Sequence, residues 1–179
     1  YKKLITQTNE LVGRINGKYS SVEYSPIVFI NQSVNFNDLC SLYSLADVAI
    51  VSSIRDGMNL VSYEYVMCQQ ERHGVLVLSE FAGSAQSLSS AIRVNPWNIE
   101  ELASALHEAL SVPERERELK HGKLYRYVTK HTAAYWAQSF VADLQQVETI
   151  QHQDRHNKLP QALLRLSIDV LPEMRRRNN

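Results

Sequence analysis

Apolar positions along this chain change period several times, and each change marks an element. Leu4, Ile5, Leu11, Val12 and Ile15 recur at helical spacing, and Gly17 predicts the end of that helix. Pro26 to Ile30 reads as a strand, and Asn31 to Asn35 as a polar turn. A helix from about Asn37 to Ala46 presents Leu39, Leu42, Tyr43 and Leu45 and leads into a short buried strand, Ala46 to Ser52. Leu60 to Gln69 reads as the next helix. Gly74 to Ser79 is another strand, and its run Val75-Leu76-Val77-Leu78 has no alternation, as expected for a parallel strand covered on both faces. Ala91 to Val94 is a last short strand. Asn98 opens a helix to about Ser111, and from Pro113 on the chain reads as helices, Glu114 to about Thr129 and Thr132 to about Val147. Strand and helix alternate, which predicts an α/β doubly wound parallel sheet followed by C-terminal helices. Residues 1–147 read as one domain. Residues 148–179 read as a linker and tail, with a helix from about Pro160 to Leu171 and a basic end at Arg175-Arg176-Arg177.

Composition narrows the function classes. A chain of 179 residues with 44% apolar content buries one core rather than two. Its 19 basic and 19 acidic residues cancel, so no electrostatic footprint for nucleic acid or an acidic membrane is expected. Cys40 and Cys68 have no metal-ligand spacing and point to packing in a reducing compartment. No apolar run approaches the ~20 residues of a membrane span and no signal peptide is visible, so the expected location is cytoplasmic. The chain opens on Tyr1 rather than methionine, as expected of a fragment of a longer protein.

The densest chemistry lies in Ser53-Ile54-Arg55-Asp56-Gly57-Met58-Asn59-Leu60-Val61-Ser62-Tyr63-Glu64-Tyr65, behind the strand that ends near Ser52. A turn there lies at a strand's carboxyl end, the edge at which open α/β sheets bind ligands. Gly57 is expected to let the backbone turn tightly. The N–H groups of Met58 to Val61 would then point out of a helix N-terminus, where they favour an anion such as a diphosphate. Glu64, two helical turns after Asp56, would border the same cleft and accept hydrogen bonds from a ribose diol. Asp56 and Asn59 each keep a second reading as the cap of the following helix, and Glu64 as a solvated helix residue.

Other constellations carry less. Phe81-Ala82-Gly83-Ser84-Ala85 reads either as a second loop of close approach or as small residues easing packing. Ser79 and Ser84 lack a nucleophile-elbow arrangement. His107, His121 and His131 have no paired ligand spacing and read as surface or capping histidines, so no metal site and no cofactor is expected. Glu114-Arg115-Glu116-Arg117-Glu118 reads as a solvated face, and Trp97 and Trp136 as core or interface packing.

Four strings together resemble motifs of the trehalose-6-phosphate synthase family, in the family's order. They are Val12-Gly13-Arg14-Ile15-Asn16-Gly17-Lys18-Tyr19, Arg55 to Tyr65, Gly74-Val75-Leu76-Val77-Leu78-Ser79-Glu80-Phe81-Ala82-Gly83, and Val94-Asn95-Pro96-Trp97-Asn98. The resemblance runs from Tyr1 to about Val147. It implies the Rossmann-like C-terminal, donor-binding half of a GT-B glycosyltransferase that transfers glucose from UDP-glucose to glucose 6-phosphate with retention, giving trehalose 6-phosphate and UDP.

By the motif match, the resemblance implies that Asp56 holds a hydroxyl of the donor glucose, with backbone groups of Gly57, Met58 and Asn59 beside it. Leu60 and Val61 would offer N–H groups to the diphosphate, with Ser62 and Tyr63 as support in the same segment. Glu64 would bind the ribose, and the turn at Ser33, Val34 and Asn35 would border the uracil. No catalytic nucleophile is implied within these residues, and no metal. The family's diphosphate-clamping Arg and Lys and its glucose 6-phosphate site belong upstream of Tyr1, so the fragment alone is expected to be inactive. An oligomer contact or a place in a trehalose synthase complex is open. So are two other readings, a noncatalytic regulatory subunit of such a complex and, more remotely, a binding domain for another nucleotide.

Overall fold

The computed structural model describes residues 1–150. They fall into two compact units divided between Leu42 and Tyr43. The first unit carries helix α1, Lys2–Tyr19, and the start of α2, Phe36–Leu45. Helix α1 runs two residues past Gly17, where a Cβ would meet nothing within 4 Å, so this glycine does not end it. Residues 26–30 form no strand, contrary to the apolar pattern. A strand needs a ladder partner. Here the Asn16 side chain takes that place for Ile27, accepting from its N–H at 3.0 Å and donating to its carbonyl at 2.8 Å. No residue of α1 is buried.

The second unit holds a three-stranded parallel sheet in the order β1-β2-β3, made of Val48–Val51, Val75–Ser79 and Ile92–Val94. Helix α3, Leu60–Cys68, joins β1 to β2; a short α4, Ser84–Ser87, precedes β3; α5, Ile99–Ser111, and α6, Glu114–Lys130, follow it. Residues 133–150 form a further helix, α7. Central strand β2 is buried at every position. Its Leu76 and Leu78 pack with Tyr65, Val66 and Leu124 of α3 and α6, and its Val75 and Val77 pack with Ala105 and Ala109 of α5. Both faces are therefore covered by helices. This is the doubly wound arrangement that the unbroken apolar run implies.

One buried amide ties α2, β1 and β2 together. Gln69 follows α3 and is fully buried; its Nε2 donates to the Tyr43 carbonyl and, at 2.9 Å, to that of Ala46, while its Oε1 accepts from Gly74 N–H at 2.7 Å. The Tyr65 hydroxyl donates to the same Ala46 carbonyl at 3.0 Å. A Cβ on Gly74 would stand 2.0 Å from that hydroxyl, so close approach demands the glycine. The predicted tail helix from Pro160 to Leu171 lies outside the described residues.

Candidate functional site

Strands β1 and β2 are parallel, so the loops that follow them emerge side by side at one edge of the sheet. Asp56 and Ala82 form an isolated parallel bridge there, and Gly83 N–H donates to the Asp56 carbonyl at 2.8 Å. A Cβ on Gly83 would lie 1.9 Å from the Gly57 carbonyl oxygen. Gly83 therefore lets two loops of the chain pack closely, as the packing reading of Phe81 to Ala85 has it.

Asn59 is the N-cap of α3, and its Oδ1 accepts from Ser62 N–H at 2.8 Å. Its Nδ2 donates to Asp56 Oδ2 at 2.8 Å. Of the two candidate caps, Asn59 caps and Asp56 does not. Asp56 and Asn59 are half-buried, while Gly57, Met58, Leu60 and Val61 are exposed. Leu60 and Val61 open α3, so their N–H groups lack intrahelical acceptors and face outward with the positive end of the helix dipole. Ser62 is fully buried: its hydroxyl donates to the Asn59 carbonyl at 2.7 Å and lies 3.4 Å from the Ser84 hydroxyl. It supports the loop and offers no surface to a ligand.

Glu64 is exposed on the second turn of α3, four residues from Leu60 and hence on its face. Its Oε2 accepts from the Tyr43 hydroxyl at 3.3 Å, and the Tyr43 ring stands edge-on to Tyr65. Tyr63 is half-buried; burial raises the pKa of its phenol, partly offset by a hydrogen bond with Ser87. Gly57 has no positive φ and a Cβ there would meet nothing within 4 Å, so the turn itself does not require a glycine. That corrects the expectation of a glycine-dependent turn. Ser33 to Asn35 lie in the first unit, where Asn35 Oδ1 accepts from Asp38 N–H at 2.9 Å at the start of α2.

The profile of glycosyltransferase family 20 matches residues 1–146. This chain belongs to that family. The alpha,alpha-trehalose-phosphate synthase [UDP-forming] of Schizosaccharomyces pombe is 56% identical over 152 residues, which are 85% of this chain and 30% of that protein. Among solved structures, an alpha,alpha-trehalose-phosphate synthase (UDP-forming) from Burkholderia xenovorans in complex with glucose-6-phosphate superposes with a TM-score of 0.77 at 40% identity, covering 81% of this chain and 32% of that one. The N-terminal domain of a Candida albicans trehalose-6-phosphate phosphatase superposes equally, with a TM-score of 0.77 at 34% identity, covering 81% of this chain and 31% of that one. The chain thus spans about a third of the length of the relatives it matches. Its parallel sheet with helices on both faces and C-terminal helices is the GT-B half expected of glycosyltransferase family 20.

In this family 20 chain the sequence motif also borders a cleft of about 720 Å³. Gly57, Met58, Leu60 and Tyr63 line one side, Gly83, Ser84 and Ser87 the next, and Tyr127, His131, Tyr135 and Trp136 the far wall. Sequence spacing does not mark that wall as part of a site, because aromatic residues at helical spacing are ordinarily core. His131 does cap α6, its N–H donating to the Tyr127 carbonyl at 3.0 Å, but its ring is also stacked on Tyr127. Trp136 is 68% exposed and stacks on Phe140, and Trp97 is 67% exposed, so neither is core. His121, by contrast, is buried rather than superficial, with Nε2 2.9 Å from the Val66 carbonyl. Among the described residues no group of His, Cys, Asp and Glu could hold a metal ion, and no helix is long and apolar enough to cross a membrane.

Proposed function

We propose that this chain is the donor-binding part of an alpha,alpha-trehalose-phosphate synthase (UDP-forming), a retaining enzyme that moves glucose from UDP-glucose to glucose 6-phosphate. The observation that carries this reading is the juxtaposition at the carboxyl edge of β1 of the Asp56 carboxylate, the open N-terminus of α3 and Glu64 on the same helix. Asp56 accepts a hydrogen bond from a glucose hydroxyl, beside backbone groups of Gly57, Met58 and Asn59. The Leu60 and Val61 N–H groups receive the diphosphate. Glu64 binds the ribose hydroxyls.

The bond from the anomeric carbon to the diphosphate oxygen breaks as the acceptor hydroxyl bonds to that carbon on the same face, and its proton passes to the departing diphosphate. No protein nucleophile is needed, and Asp56 is a positioning group rather than half of a glycosidase pair. Charge on the leaving group is met in part by the helix dipole. A cationic clamp and the glucose 6-phosphate site come from the rest of a longer, cytoplasmic protein, so these 179 residues alone do not turn over. The partners are UDP-glucose, UDP and glucose 6-phosphate, with no divalent ion.

A noncatalytic subunit of a trehalose-synthesising complex is the second reading. The specific observation that favours it is the equal superposition on the N-terminal domain of a protein named as a phosphatase. One experiment separates the two. In the full-length protein, Asp56→Ala is expected to abolish most trehalose 6-phosphate formation in steady-state assays while sparing UDP affinity by titration, because a misoriented glucose loses near-attack geometry and the nucleotide contacts remain. Undiminished turnover would overturn the site assignment. A wild-type protein that binds UDP-glucose without turnover would establish the second reading.

A further inference from the structure

Two hydrogen bonds on one amide give Asn59 a role distinct from the backbone contacts assigned above. Its Oδ1 accepts from Ser62 N–H and its Nδ2 donates to Asp56 Oδ2, each at 2.8 Å. The donors and acceptors fix the sense of the amide. Flipping it would set Nδ2 against an N–H and Oδ1 against a carboxylate, repelling at both ends. Ser62 is fully buried and its hydroxyl donates to the Asn59 carbonyl at 2.7 Å, so the amide is anchored from behind. The Asp56 main chain is anchored separately by Gly83 N–H.

We propose that the Asn59 side chain is a positioning residue that holds the Asp56 carboxylate for the donor sugar, with Oδ2 committed to the amide and Oδ1 left to meet the hydroxyl. The inference rests on the reading of Asp56 given above. Chemistry restricts this position more than helix capping does. Ser, Asp and Asn cap about equally well. A serine at this position is too short to reach Asp56 while it caps, and an aspartate would set a second carboxylate against the first. Only an amide of this length both caps α3 and donates to Asp56.

The test uses Asn59→Ser and Asn59→Asp in the full-length protein, since both keep the cap. If Asn59 only caps, both variants turn over like the wild type. The positioning role predicts that both lose ~10- to 100-fold in kcat for trehalose 6-phosphate formation, with Asn59→Asp at least as impaired, while UDP affinity and Tm stay near wild type. Titrations of UDP-glucose and UDP should show the preference for the sugar nucleotide shrinking in both variants. Wild-type kcat, or UDP affinity or Tm falling in step with turnover in both, would overturn the inference. If wild type binds UDP-glucose but does not turn over, the synthase reading fails separately, and the ratio of the two affinities decides Asn59: a ratio unchanged in both variants overturns its role.

Discussion

Gly83 and Gly57 meet so closely that a Cβ on Gly83 would stand 1.9 Å from the Gly57 carbonyl oxygen. The loops after β1 and β2 are thereby clamped, with Gly83 N–H on the Asp56 carbonyl at 2.8 Å. Gly83→Ala must part them, and overpacking of this kind costs about 1–3 kcal/mol. Gly57→Ala meets open space at an ordinary φ and is expected to leave stability at or slightly above wild type. Denaturant midpoints of the two variants check the contrast; equal midpoints would show that the clamp is dispensable.

Glu64→Ala is expected to leave folding almost unchanged, because the residue is exposed on a helix where alanine is well tolerated. It should cost about 1.5–3 kcal/mol of UDP affinity by removing charged-acceptor hydrogen bonds to ribose. Calorimetric titration with UDP, against a diphosphate ligand that lacks ribose, separates the roles. An equal loss for both ligands would mean that Glu64 acts by supporting the loop.

Gln69→Leu removes one side chain from four backbone groups, the carbonyls of Tyr43, Ser44 and Ala46 and the N–H of Gly74, of which the Ala46 carbonyl keeps the Tyr65 hydroxyl. Buried polar groups left unpaired are costly, and a destabilisation of about 2–4 kcal/mol is expected. Chemical denaturation measures it. A loss below about 0.5 kcal/mol, the level of an ordinary surface substitution, would show that those groups find other partners.

His121 confers a pH dependence. Burial lowers its pKa below the ordinary histidine value, the Val66 carbonyl opposes this by favouring the protonated ring, and His73, with its ring centroid 5.1 Å away, lowers it further. Between the folded pKa and the unfolded value near 6.5 the unfolded chain binds more protons, so stability is complete above about pH 6.5 and declines as pH falls through the folded pKa. His121→Gln, which can keep a donor toward the Val66 carbonyl, should flatten Tm between about pH 7 and 5. An identical slope in wild type and variant would assign the dependence to other groups.

The periodicity of the sequence was sufficient for most of the second unit. Local signals agree with tertiary packing there: four consecutive apolar residues make β2 buried on both faces, and Asn98 caps α5 as its position before the helical run implies. The Asp56 to Glu64 segment was legible for a similar reason, since a strand end, an amide cap and a helix start are all local features. Pro26 to Ile30 was not, because an apolar extended stretch becomes a strand only when another backbone lies beside it, and the first unit provides none.

What the sequence by itself determined is the order of elements, the edge of the sheet that carries the polar segment and the family to which those strings belong. Local hydrogen bonding and burial period encode these within a few residues of each position. Tertiary structure alone decided which small residues are indispensable. Gly83 and Gly74 are required by atoms brought to them by folding, from Gly57 and from Tyr65 and Gln69, whereas Gly57, the glycine inside the most recognisable motif, needs no special φ and a Cβ on it would meet nothing within 4 Å. The same holds for Asn59, whose capping role is local. Its grip on Asp56 depends on the direction of one amide, which no spacing of residues encodes.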